Sequence, residues 1–180
     1  MGFKIFGIQI GQEQIITAEE IKNKLLKIVS AAKADIERDF VNPAKKLIPE
    51  RFWSEKGKRL TSPFERMKYS ELKPLCVAFI ATERNAHKNL SIHIAELQLL
   101  EKRIKKRDFN EKVRWVRQDL EAWTISLNDT YKTARELTIT DSRDKMGAVV
   151  TDYLGDIPSR LVKRIIELQQ KIERWFERLN

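Results

Sequence analysis

Large apolar residues recur at spacings of 4, 3, 4, 3 and 4 in two stretches of this chain. They are Phe109, Val113, Val116, Leu120, Trp123 and Leu127, then Leu161, Ile165, Leu168, Ile172, Trp175 and Leu179. The spacing averages 3.5 residues, so each set stays on one stripe of an α-helix and needs a partner helix to cover it. The expected fold class is therefore all-α. It should be a bundle of about four long helices plus one or two short ones, with a long basic crossover after the first helix and a short extended N-terminal arm. A length of 180 residues suits an arm over 1–16 followed by a single helical domain over 17–180.

In the arm, Phe6, Ile8 and Ile10 alternate with Gly7 and Gln9, which suits an extended segment lying on its own core or on a neighbouring subunit. Thr17 and Glu20 then form a capping box ahead of the apolar-periodic run Ile21, Leu25, Ile28, Val29, Ala32, Ile36 and Phe40. That predicts a first helix over 17–41, ending before Asn42-Pro43. The connection over 42–69 holds three of the five prolines and has no clean periodicity; a loop that long is usually functional or contains short helices.

A second helix is expected from Ser70 or Pro74 to about Arg107. Its apolar set (Leu75, Phe79, Ile80, Leu90, Ile92, Ile94, Leu97, Leu99, Leu100, Ile104) is too broad for one stripe, which predicts a central helix touched on more than one side. A third helix over 109–138 has Asp108 or Asn110 as its cap. A short helix should end near Leu154 with Gly155 as C-cap, and Pro158 should open a last helix over 158–179. Ile92, Leu99, Ile166 and Phe176 point away from the main seams, and Trp115 sits off the third helix's seam.

Several classes of chemistry find no material here. One cysteine, Cys76, and two histidines, His87 and His93, supply neither an internal disulfide nor a Cys/His zinc cluster. The histidines lie about 120° apart around one helix, so they do not face a common site. Glu83 with His87, and His93 with Glu96, could each share a proton, but no Glu-x-x-His occurs, as a di-iron bundle would need. Gly-rich phosphate loops, nucleophile elbows and zincin motifs are also missing. The expectation is a protein that is not an enzyme, with no cofactor and no metal. No apolar run approaches the ~20 residues of a membrane span, and the first residues lack a signal-peptide pattern. An intracellular location, or a place within a nucleoprotein particle, is expected.

Charge carries the functional expectation. There are 35 Lys and Arg against 26 Asp and Glu, a net charge of +9 and a pI near 9.7, which favours polyanionic partners. Three patches stand out. The connection carries Lys45, Lys46, Arg51, Lys56, Lys58 and Arg59 with Trp53 among them. The end of the second helix carries Lys102, Arg103, Lys105, Lys106 and Arg107. On the last helix Arg160, Lys163, Arg164, Lys171, Arg174 and Arg178 fall within about 100° of arc. Cations neutralise phosphates and aromatics can stack on bases. The same cations would also complement a helix C-terminus or flank a heptad seam.

The expected function is a non-enzymatic, self-associating helical protein that binds nucleic acid through its phosphate backbone. Coating, packaging and architectural roles fit. In architecture alone the combination resembles coat proteins of filamentous archaeal viruses, which implies a nucleoprotein coat subunit. The alternative is a helical adaptor or assembly factor whose basic surface meets an acidic protein. Expected partners are thus nucleic acid and either a second copy of the chain or a helical partner protein.

Overall fold

The computed structural model describes residues 16–47, 69–140 and 157–177, and every element among them is helical. The expected N-terminal arm up to residue 15, the middle of the crossover, and the short helix near Leu154 with Gly155 lie outside the described residues. The elements are α1 (Ala18–Ile36), a π-turn (Glu37–Val41), α2 (Asn42–Leu47), α3 (Tyr69–Arg103), α4 (Arg107–Thr140) and α5 (Ile157–Glu177). None of these helices is long and apolar enough to cross a membrane.

The capping box forms as expected. Glu20 N–H donates to the Thr17 hydroxyl and Thr17 N–H to the Glu20 carboxylate, at 3.2 and 2.8 Å. The predicted end of the first helix is corrected, because the chain continues helically through Asn42-Pro43 to Leu47. A proline inside an α-helix removes one hydrogen bond and crowds the carbonyl four residues back. The π-turn relieves this: Asn42 N–H reaches five residues back to the Glu37 carbonyl, so the backbone has widened where the ring must fit. The wider turn also lets two consecutive side chains, Phe40 and Val41, both be buried.

Neighbouring helices run antiparallel. On α1 and α3, Asp35 meets His93 while Asp39 meets Asn89. Helices α3 and α4 are joined by residues 104–106 alone. On α4 and α5, Phe109 near one start stacks on Phe176 near the other end. Helix α5 closes the ring by packing on α1, with Gln169 donating to Ser30 at 2.8 Å. The result is an up-down-up-down bundle.

The α4 seam is buried along its whole predicted length, from Phe109 to Leu127. The α5 seam is buried from Leu161 to Ile172, but its end is corrected: Phe176, expected to point away, is 3% exposed, whereas Trp175 is half-buried. At about 100° per residue the two lie about 50° either side of the Leu161–Ile172 stripe, so periodicity does not separate them. Phe109 does, because its ring stacks on Phe176 at 5.9 Å. An indole also keeps its N–H nearer a polar exit when it stays at the edge of a core.

Helix α3 touches α1, α2, the π-turn and α4, on more than one side as expected, but its buried stripe is narrower than the apolar set suggested. Its buried residues Glu83, Ala86, Leu90, His93, Leu97, Leu100 and Ile104 step by 3, 4, 3, 4, 3 and 4, so a heptad seam is present with two titratable residues in it. Ile92 and Leu99 face outward as expected, at 50% and 56% exposure.

Candidate nucleic-acid interface

Two clusters of side chains could carry a function: a polar layer between α1 and α3, and a basic aromatic face on α4 and α5. In the polar layer, the His93 ring is buried with Nε2 2.8 Å from Asp35 and Nδ1 3.4 Å from Glu96. Arg38 forks onto Asp39 and also reaches Asp35 at 2.8 Å, and Asn89 donates to Asp39. The Arg38 hydrogen bond holds the Asp39 carboxyl below the usual carboxylate range. Every polar side chain of this layer has a partner within the bundle, so it joins two helices. Among the described residues no group of three His, Cys, Asp or Glu could hold a metal ion. His87 lies apart, and its carbonyl accepts from Ser91.

The hairpin between α3 and α4 is closed by groups whose role sequence periodicity does not reveal. Asn110, expected as a cap for the third helix, instead donates to the carbonyls of Glu101 and Ile104 at 2.7 and 3.2 Å, and so finishes the end of α3. Glu101 accepts from Arg114 at 2.8 Å and Arg117 at 3.0 Å. The Arg114 bond, then Arg117, draws the Glu101 carboxyl below its ordinary value against the opposing effect of burial. Arg117 also pairs with Glu121. These two arginines are therefore occupied within the chain.

The patch from Lys102 to Arg107 divides around this hairpin. Lys102 and Arg103 lie in the last turn of α3, where cations complement the helix dipole. Arg107 is the first residue of α4, with Lys105 and Lys106 just ahead of it, at the positive end of that helix. The dipole accounts for the first pair and opposes the other three. Arg107 pairs with Glu111 at 3.0 Å, and the Lys106 ammonium lies 4.5 Å over the Phe109 ring.

On α5 three of the cations lie beside α4. Arg164, Lys171 and Arg174 line an open groove of about 470 Å³ with Glu167 and Leu168, while α4 supplies Asp119, Ala122 and Trp123. At one end of it Trp115 meets Trp175 with ring centres 5.5 Å apart, and the Lys171 ammonium sits 5.0 Å over the Trp175 ring. Trp115 is 47% exposed. Lys163 reaches Glu167 only at 3.9 Å, with both side chains largely in solvent, and Arg174 donates to the Gln170 carbonyl. Lys102, Arg103, Lys106, Arg164, Lys171 and Arg174 are exposed and make no ion pair with a carboxylate among the described residues.

The Phe109–Phe176 stack brings the hairpin and the end of α5 to the same end of the bundle, so two of the three expected patches adjoin. The third is not described as a site. Lys46 is exposed on α2, Lys45 is placed by backbone alone, and Arg51, Trp53, Lys56, Lys58 and Arg59 lie outside the described residues, as does Arg178. Sequence reading missed two members of the face, Asp119 and Ala122, which become visible only once α5 is set against α4. No protein-family model, no curated protein and no solved structure matches the chain.

Proposed function

We propose that this chain is a non-enzymatic, self-associating helical protein that binds nucleic acid through its phosphate backbone. The observation that carries the reading is the row of exposed, unpaired cations Arg164, Lys171 and Arg174 along the α4–α5 groove, next to the hairpin cations. Desolvating a cation for an internal carboxylate would remove it from external use. The bundle pairs Arg114 and Arg117 with Glu101 and leaves Arg164, Lys171 and Arg174 without a carboxylate partner among the described residues. From Arg164 to Arg174 the row extends about 15 Å at ~1.5 Å per residue, the reach of about four phosphates at ~3.4 Å each. Coating, packaging and architectural roles all use such sequence-independent contact.

The test is binding of a labelled random-sequence oligonucleotide followed by fluorescence anisotropy across about 50 to 300 mM salt. The combined change Arg164→Glu, Lys171→Glu and Arg174→Glu should abolish most affinity and flatten the salt slope by about 2–3. The change Lys22→Glu, Lys24→Glu and Lys27→Glu on α1 alters the net charge equally and should leave most of it. Equal losses in the two variants would refute the site. The adaptor reading is favoured by one observation, the outward Ile92 and Leu99 of α3, which suit a helical partner or second copy. A mass that rises with concentration, in a protein with no affinity for nucleic acid, would select it.

A further inference from the structure

We propose that the α4–α5 groove takes single-stranded nucleic acid, with the backbone along α5 and an unstacked base on the face of Trp115. This rests on the nucleic-acid reading above and adds to it the form of the strand. The two walls of the groove differ in chemistry. The α5 wall presents Arg164, Lys171 and Arg174 with Glu167 among them, whereas the α4 wall presents Asp119, Ala122 and Trp123, and Trp115 lies one turn beyond Asp119, against Trp175. Three cations against one carboxylate draw phosphates to the first wall, and the Asp119 carboxylate repels them from the second, so a strand lying here turns its bases toward α4.

Trp115 lies off the buried seam of α4 and is left 47% exposed. It is held in place by Trp175, whose ring also carries the Lys171 ammonium at 5.0 Å. An indole face is useful to nucleic acid only if a base face is free to meet it. In a duplex those faces are stacked and only edges line the grooves, so stacking on an exposed aromatic is how single strands are bound. The cations alone would suit either form, and Trp115 separates them.

The experiment compares four labelled probes of about 15 nucleotides with the full chain: oligo-dT, oligo-U, a duplex of the same length, and an abasic strand carrying the same phosphates without bases. Both base-bearing single strands should bind more tightly than the abasic strand and the duplex, by roughly 5- to 150-fold. Trp115→Ala should remove the advantage over the abasic strand while leaving abasic affinity unchanged, and Trp115→Phe should keep part of it. Equal affinity for single strand, duplex and abasic strand overturns this inference and leaves backbone binding standing. Absence of binding to all four overturns both. A Trp115→Ala variant that lowers the native mass instead of the strand preference assigns the indole to contact between copies, and also overturns it.

Discussion

Replacing Glu83 by Gln should stabilise the protein above neutral pH and remove a fall in stability that the parent chain shows on the way there. Glu83 occupies a heptad seam position of α3 and is 2% exposed. Burial raises its carboxyl from 4.5 to about 7, opposed only by the nearby Arg84 charge. A group whose pKa is higher folded than unfolded holds its proton more tightly in the native state. Stability therefore falls as pH rises between the two values and levels off above them. At about 1.4 kcal/mol per unit, the rise corresponds to a loss of about 3 kcal/mol. Gln keeps the shape without the ionisation. The variant should match the parent near pH ~4.5, stay flat through ~7, and end about 3 kcal/mol more stable, or roughly 6–12 °C higher in Tm. Urea unfolding followed by circular dichroism at several pH values measures this directly. Glu101 and Asp39 do not blur the window, since their carboxyls are lowered and their stabilisation is lost only as pH falls below about 4.5. A parent stability that is flat or rises across the window, or a variant curve parallel to the parent's, would refute the reasoning.

The end of the α5 seam supplies a second prediction: Phe176→Ala should cost about 3–5 kcal/mol in urea unfolding, and Trp175→Ala at the groove edge well under half of that. The reverse order would restore the periodicity-based assignment of Trp175 to the core. Glu101→Gln should destabilise by about 1–2 kcal/mol at neutral pH, because Arg117, 19% exposed in its side chain, loses a charged acceptor. The same variant should be less sensitive to acid than the parent below pH ~4.5, and an unchanged acid midpoint would show that Glu101 is not held ionised by its two arginines.

Fold and site were legible in the sequence to different degrees, for one physical reason. An apolar stripe reports its own burial, so the α4 seam could be read residue by residue from its spacing alone. The α3 seam could not, because Glu83 and His93 stand where the pattern wants apolar groups, while Ile92 and Leu99 fall outside it. Those four residues made one ordinary heptad look like a helix that is apolar all round. The helix stop expected at Asn42-Pro43 failed because Pro43 removes only its own N–H bond, while the Asn42 N–H reaches the Glu37 carbonyl in a widened turn that leaves room for the ring. For the basic face, the sequence supplied the cations of α5 and of the hairpin, but which of them are free depends on packing. Arg114 and Arg117 lie on either side of Trp115 in the sequence, and nothing local shows whether they are free. Both are taken by Glu101, a residue on another helix that no local pattern connects to them.

The distribution of polar residues within the core bears on how the groove is held. Helices α4 and α5 meet the core through seams in which each buried side chain named is apolar, from Phe109 to Leu127 and from Leu161 to Phe176. The ionisable interior groups lie on α3, and their partners Asp35, Arg38 and Asp39 lie on or next to α1. Protonation changes therefore act on the α1–α3 side, while the groove's two walls rest on packing that does not titrate. A backbone-binding surface needs its cations fixed in register with successive phosphates, and cations on a helix whose core face is wholly apolar keep that register across the pH range in which Glu83 ionises. By this argument the Glu83→Gln change alters stability and leaves the salt slope of nucleic-acid binding where it was, because α3 contributes none of the groove's lining.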